Sequence, residues 1–196
     1  MERIRSFIAI ELPLPIRAEL GSLQDKLKAG RQPFVKWVDP EGIHLTLKFL
    51  GGVDSNLIPE IIKAMSRVAE PAPPFSLQLG GLGVFPGWQR PQVVWVGMGG
   101  EVERLASLQK EIESGLSRLG FAPESRPFRG HLTLGRLREQ ASPRDKQSFG
   151  AWVQSVRFES KPSFEVQALS LMKSQLTPSG AIYTQLACAG LGGRTA

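Results

Sequence analysis

His44-Leu45-Thr46-Leu47 and His131-Leu132-Thr133-Leu134 are one four-residue phrase written twice, far enough apart for each copy to occupy its own half of the chain. The chain contains two histidines in all, and each opens one copy. Leucine alternation through residues 43–50 and 131–137 predicts two half-buried β-strands. Successive side chains on a strand point to opposite faces. His44 and Thr46 therefore share one face, with Leu45 and Leu47 behind them. His131 and Thr133 share a face in the same way. Each strand buries its leucines and presents an imidazole beside a hydroxyl, so two halves packed together line one cleft with two His/Thr pairs.

Outward from the motifs, Arg3 to Leu12 reads as a strand. Pro15 to Lys28 reads as a helix with Ile16, Leu20, Leu23 and Leu27 on one face and Gly30 as its terminator. Val35 to Val38 is a short strand, and Pro40-Glu41-Gly42 turns into the first motif strand, which Gly51-Gly52 ends. Ser55 or Asn56 caps a helix from Leu57 to Glu70. Phe75 to Phe85 is a strand with a bulge at Gly80-Gly81. A turn-rich loop, 86–91, precedes a strand at Val93 to Val96. Glu101 to Leu119 is a helix stopped by Gly120, and the loop 123–130 leads to the second motif strand. Pro143 to Val156 is a helix. Phe164 to Leu176 and Ala181 to Ala189 are strands joined by the hairpin signal Thr177-Pro178-Ser179-Gly180, and Gly190 to Ala196 is a frayed tail. The expected fold is α+β, with two related lobes and not two independent domains. No linker divides the lobes, so residues 1–196 read as a single bilobal domain.

The 196 residues are 41% hydrophobic, and no apolar run is long enough to span a bilayer. The apolar run in Arg3 to Ile10 is cut by Glu11 and Pro13, which makes it a first strand and not a signal peptide. Cys188 is the only cysteine, which excludes an intrachain disulfide and a thiolate zinc cluster and fits a cytoplasmic protein. Lys and Arg outnumber Asp and Glu by 24 to 18, with an isoelectric point near 9.8. That excess favours anionic partners such as nucleic acid. A solvated surface gives the same balance, so charge alone decides nothing.

Two groups titrating near neutrality are what a reaction needs if it takes a proton from water and returns one to a leaving oxygen, and histidine is the side chain with that ordinary pKa. Hydroxyls two residues along each strand are placed to donate to an anion between the imidazoles. Phosphodiester cleavage fits this set. One His on a strand is more often structural than catalytic; two identical copies that use every histidine weigh the other way. A metal site is the competing use of imidazole, but neither motif has a second ligand at helical spacing and threonine is a poor zinc ligand. No cofactor or metal is expected.

With these motifs the sequence resembles the 2H phosphoesterase superfamily. Within it the resemblance is to the bacterial and archaeal RNA 2′,3′-cyclic phosphodiesterases, also called 2′-5′ RNA ligases. It spans almost the whole chain: Arg5-Ser6-Phe7-Ile8-Ala9-Ile10, Trp37-Val38, His44 to Gly51, Pro91 to Gly97, Phe128 to Arg136, Leu169 to Ser174 and Pro178 to Tyr183. One departure is Gly130, where the family usually has proline; it loosens the strand's start without removing a chemical group. The resemblance implies a bilobal fold in which two antiparallel β-sheets face a central cleft with helices outside, and metal-independent opening of an RNA 2′,3′-cyclic phosphate to a 2′-phosphate. His44 would be the proton donor and His131 the proton acceptor. The near-symmetric motifs do not by themselves set that division.

Three cations are candidates for the cleft. On regular strands Lys48 and Arg129 share the parity of their histidines. Arg136 does not, yet it matches a substrate-contacting arginine of the family, so Gly135 would mark a bulge or the strand's end. Thr46 and Thr133 are the expected phosphate contacts. Phe85 and Trp88 are candidates to stack on a base. The expected partners are RNA ends carrying a 2′,3′-cyclic phosphate, with no membrane and a monomeric state. The same site would support ligation by reversal. Competing functions are a non-catalytic RNA-binding module and a phosphodiesterase for small cyclic nucleotides or ADP-ribose cyclic phosphate.

Overall fold

A computed structural model describes residues 3–178 and 180–193. In chain order the elements are β1 (Arg3–Glu11), α1 (Leu14–Lys28), β2 (Val35–Trp37), β3 (His44–Asp54), α2 (Ile58–Ala69), β4 (Phe75–Phe85), β5 (Val93–Gly100), α3 (Val102–Ser117), β6 (His131–Leu137), α4 (Pro143–Ser155), β7 (Ser163–Val166), β8 (Ala168–Leu176) and β9 (Ala181–Gly190). The strands form one antiparallel, curled sheet in the order β7-β4-β5-β6-β3-β1-β8-β9, with β2 also on β6.

The order shows a duplication. The series β1-α1-β3-α2-β4 recurs as β5-α3-β6-α4-β8. In each half the first two strands pair with each other, β1 with β3 and β5 with β6. The third crosses over: β4 pairs with β5, and β8 with β1. Each half thus completes the other's sheet, and the two sheets are continuous where Leu45 pairs with Leu132.

The leucines behind the motifs hold this arrangement. Leu45, Leu47, Leu132 and Leu134 are buried in a single core with Ile16, Leu20, Leu23 and Leu27 of α1, Ile61 and Met65 of α2, Leu105, Leu108, Ile112 and Leu116 of α3, and Phe149 and Val153 of α4. Burial of each such side chain contributes about 1.5–3 kcal/mol. Gln24 of α1 is a polar side chain inside this core. Its Nε2 donates to the carbonyls of Val38 at 2.7 Å and Leu134 at 2.9 Å, which ties the helix to the second motif strand, while its Oε1 is buried without a partner among the described residues.

Several expected boundaries move; the strand expected from Val93 to Val96, for one, continues to Gly100. Gly51-Gly52 does not end the first motif strand, because β1 continues to pair along it as far as Asp54. Asp54 caps the 3₁₀ turn that follows, accepting from the Asn56 N–H at 3.0 Å, and α2 begins after Leu57 with no side-chain cap, so neither Ser55 nor Asn56 caps the helix. The expected strand 164–176 breaks at Gln167, because β7 pairs with β4 while β8 crosses to β1. The expected tail begins with a strand residue, Gly190, and a 3₁₀ turn at Leu191–Gly193 whose Leu191 is buried. Met1, Glu2, Ser179 and 194–196 lie outside the described residues, among them part of the hairpin signal and of the tail. No described helix is long and apolar enough to cross a membrane.

Candidate active site

Leu45 and Leu132 are direct partners with side chains in the core. Their neighbours must therefore point to the opposite face. Continuing the register one residue each way sets His44 opposite Thr133 and Thr46 opposite His131. All four side chains share one surface, each imidazole across from the other motif's hydroxyl. On a regular ladder the two histidines are diagonal neighbours, roughly 7–8 Å apart, which leaves room for one phosphate. Among the described residues neither threonine hydroxyl has a protein partner.

The two imidazoles are held alike. The Nδ1–H of His44 donates to the Gly42 carbonyl at 2.8 Å, and that of His131 to the Arg129 carbonyl at 2.7 Å. Each bond fixes the tautomer and leaves Nε2 free for the cleft. Their surroundings differ. His44 stacks on Phe7, with ring centroids 4.6 Å apart, and meets the edge of Tyr183 at 4.9 Å. Burial pushes its pKa below the ordinary histidine value, against the opposing effects of the Gly42 carbonyl and the Glu11 carboxylate. His131 meets the edges of Phe85 at 5.0 Å and Trp95 at 6.1 Å. Trp95 lies flat against the sheet because Gly83 beneath it has no side chain; a Cβ there would come within 2.3 Å of the indole.

Both motif strands carry the same irregularity. Pairing passes from Ala9–Thr46 to Ile8–Lys48, leaving Leu47 without a partner on β1. It passes from Trp95–Thr133 to Val94–Gly135, leaving Leu134 without one on β5. A bulge in each copy reverses the parity of the residues that follow it, in β3 as far as Leu50, where a second shift restores it. The expectation that Lys48 faces the cleft is overturned for that reason. Lys48 is 6% exposed, its Nζ lies 2.6 Å from the Glu113 carboxylate of α3, and it donates to the Ala122 carbonyl at 2.9 Å. It anchors a helix and the loop after it. Phe49, 64% exposed, takes the cleft position instead.

In β6 the same shift sends Gly135 to the core side, where an added Cβ would lie 3.0 Å from both Trp37 and Val35, and turns the exposed Arg136 outward. Opposite Arg136 on β2 stands Lys36, also exposed. Neither is ion-paired among the described residues, and like charges directly opposite repel unless an anion joins them. Arg129 is exposed, and its carbonyl holds His131. Phe85 lies at the site. Trp88 does not: it sits beside Val153 and Phe158, along α4.

Sequence reasoning passed over Phe49, Lys36, Glu11 and Tyr183. A signal for the first existed. Leucines fall one, three and six residues after each histidine (Leu45, Leu47, Leu50 and Leu132, Leu134, Leu137), and the step from three to six breaks strand alternation in both copies. The other three depend on strand neighbours that are remote in sequence.

A duplicated α/β fold that brings one His-x-Thr pair from each half onto a shared face defines a 2H phosphoesterase. The chain belongs to the family of LigT-like phosphoesterases, whose pattern matches it twice, over residues 10–95 and 96–183. Each match falls mostly on one of the two halves traced above, with the boundary between them inside β5. An RNA 2′,3′-cyclic phosphodiesterase of Methanothermobacter thermautotrophicus is 33% identical over 184 residues, covering 94% of this chain and 97% of the relative. One of the same name from Methanocaldococcus jannaschii is 33% identical over 180 residues, covering 92% and 96%. Among solved structures, TT0787 of Thermus thermophilus superposes with a TM-score of 0.81 at 29% identity, covering 98% of this chain and all of that one. Escherichia coli LigT complexed with 3′-AMP gives a TM-score of 0.75 at 28% identity, covering 97% and 99%.

Proposed function

We propose that this protein is an RNA 2′,3′-cyclic phosphodiesterase whose two halves act as one unit, opening the ring to a 2′-phosphate by acid–base catalysis between His44 and His131. The observation that carries this reading is the Leu45–Leu132 register, which puts both His-x-Thr pairs on one face. The names of the relatives and the binding of 3′-AMP by E. coli LigT support the substrate class. Nε2 of His131 takes a proton from water as its oxygen attacks phosphorus. The bond from phosphorus to the 3′-oxygen breaks, and Nε2–H of His44 protonates that oxygen. The products are a 2′-phosphate and a 3′-hydroxyl. Thr46 and Thr133 hydroxyls donate to the non-bridging oxygens as charge builds on them.

Around this centre Phe49 offers a ring on which a base can stack. Arg136 and Lys36 carry the positive charge that meets the RNA backbone. Every step uses this chain's imidazoles and hydroxyls, so turnover persists in EDTA. Among the described residues no three His, Cys, Asp or Glu side chains converge on one point. The test is incubation of a 2′,3′-cyclic-phosphate oligoribonucleotide with the protein in EDTA, followed by location of the product phosphate. A 2′-phosphate is expected. Unchanged substrate, a 3′-phosphate, or activity that appears only with added metal contradicts the reading.

A further inference from the structure

The two-fold relation between the halves equates residues around the two histidines. Thr46 pairs with Ala9 as Thr133 pairs with Trp95, and His44 pairs with Glu11 as His131 pairs with Gly97. The pairs differ most at the last position, where one imidazole faces a carboxylate and the other a bare backbone. Glu11 is held in place. Its Oε2 accepts from the Ser170 hydroxyl at 2.7 Å and from Gln185 Nε2 at 2.5 Å, and Gln185 also donates to Ser170 at 3.0 Å. Ser170 is buried, so β1, β8 and β9 fix the carboxylate jointly. Three hydrogen bonds joining side chains far apart in sequence are more than a strand-end glutamate needs for solubility.

We propose that Glu11 is the positioning residue that marks His44 as the proton donor. Its carboxylate favours the imidazolium form of His44, while Gly97 sets no carboxylate opposite His131, which is left to act as base. The direction of transfer then follows from one broken symmetry in an otherwise duplicated site. The donor role rests on the function proposed above; the electrostatic asymmetry does not.

The other groups facing His44 do not supply this bias. Phe7 and Tyr183 present rings. The 3₁₀ turn before β3 presents the Gly42 carbonyl, and its Glu41 is bonded to Arg17 at 2.8 Å. Lys173 of β8 pairs with Ser6, which has the opposite parity to Phe7 and Glu11. From β6 come Thr133 across the ladder and His131 on the diagonal. Glu11 is the facing carboxylate, and it works against the burial that lowers the His44 pKa.

With two histidines in the chain, both imidazoles can be followed by NMR, and His131→Asn assigns them. Glu11→Gln should lower the midpoint of His44, leave that of His131 in place, and move the limb of the pH–rate profile that reports His44 to lower pH. The result is a several-fold loss of rate above the limb that is made good below it. Glu11→Asp should restore part of both shifts. The converse variant, Gly97→Asp, should raise the midpoint of His131; its Cβ would meet the far edge of Trp95 at 3.3 Å. It keeps the test open where Glu11→Gln fails to fold. An unchanged His44 midpoint in Glu11→Gln, or an unchanged His131 midpoint in Gly97→Asp, overturns the role given to Glu11 whatever the substrate proves to be. A shifted midpoint in a protein with no turnover on cyclic-phosphate RNA supports the asymmetry and overturns the functional reading.

Discussion

His44 combines a half-buried setting with the proposed donor role, which requires it to hold a proton, and stability should record the tension. Its pKa is lowered in the folded chain, chiefly by burial, while the unfolded chain titrates near the ordinary value of about 6.5. Between those two values the unfolded state binds more protons than the folded state. This group therefore contributes stability that is present above the ordinary value and is lost as pH falls through the folded one. Urea denaturation of the wild type and His44→Gln at about pH 7.5 and about pH 5.5 tests this. The wild type should lose its advantage over the variant at the lower pH, and a constant difference contradicts the assignment. The threonines should behave differently because they do not titrate. Thr46→Val or Thr133→Val should lower kcat on the order of 10²-fold, the usual effect of removing one donor to a developing oxyanion. Both limbs of the pH–rate profile should stay where they are; a moved limb would mean that the hydroxyl acts through its histidine.

Among the elements, the paired bulges do most to decide what each cation does. Lys48→Met breaks the buried pair with Glu113 and leaves that carboxylate uncompensated, at a cost of about 3 kcal/mol. The salt dependence of RNA binding should not change. Arg136→Ala should do the reverse, sparing stability while reducing the slope of log affinity against log salt by about 0.7, the effect of one lost phosphate contact on a single strand. Chemical denaturation and binding to a non-hydrolysable end analogue at two salt concentrations separate the cases. A reduced slope in Lys48→Met would return that residue to the cleft. The helices, the motif strands and the bulge at Gly80-Gly81 were legible in the sequence, because periodicity and breaker residues are local signals. The bulges at Leu47 and Leu134 were harder to see, since a bulge is a mismatch between a strand and its partner. The division between β7 and β8 was not legible: Gln167 carries no turn chemistry, and the two strands part because their partners belong to different lobes.

In the whole molecule, each of the two halves is incomplete without the other. Each completes the other's sheet with a crossing strand, and each contributes one imidazole and one hydroxyl to a face the other shares. The histidine pairs were legible because the motif is repeated word for word. That they face one cleft was legible only as an expectation, since it depends on the single Leu45–Leu132 pairing. The most direct test is the single-turnover rate on a 2′,3′-cyclic-phosphate oligoribonucleotide for the wild type, His44→Ala, His131→Ala and the double variant, with folding checked by circular dichroism. Each single change should cost on the order of 10²- to 10⁴-fold. The double should cost less than the two free-energy losses added together, because groups that act as a unit are not additive. Folded single variants that turn over at near wild-type rates would contradict the account and return both motifs to structural strands.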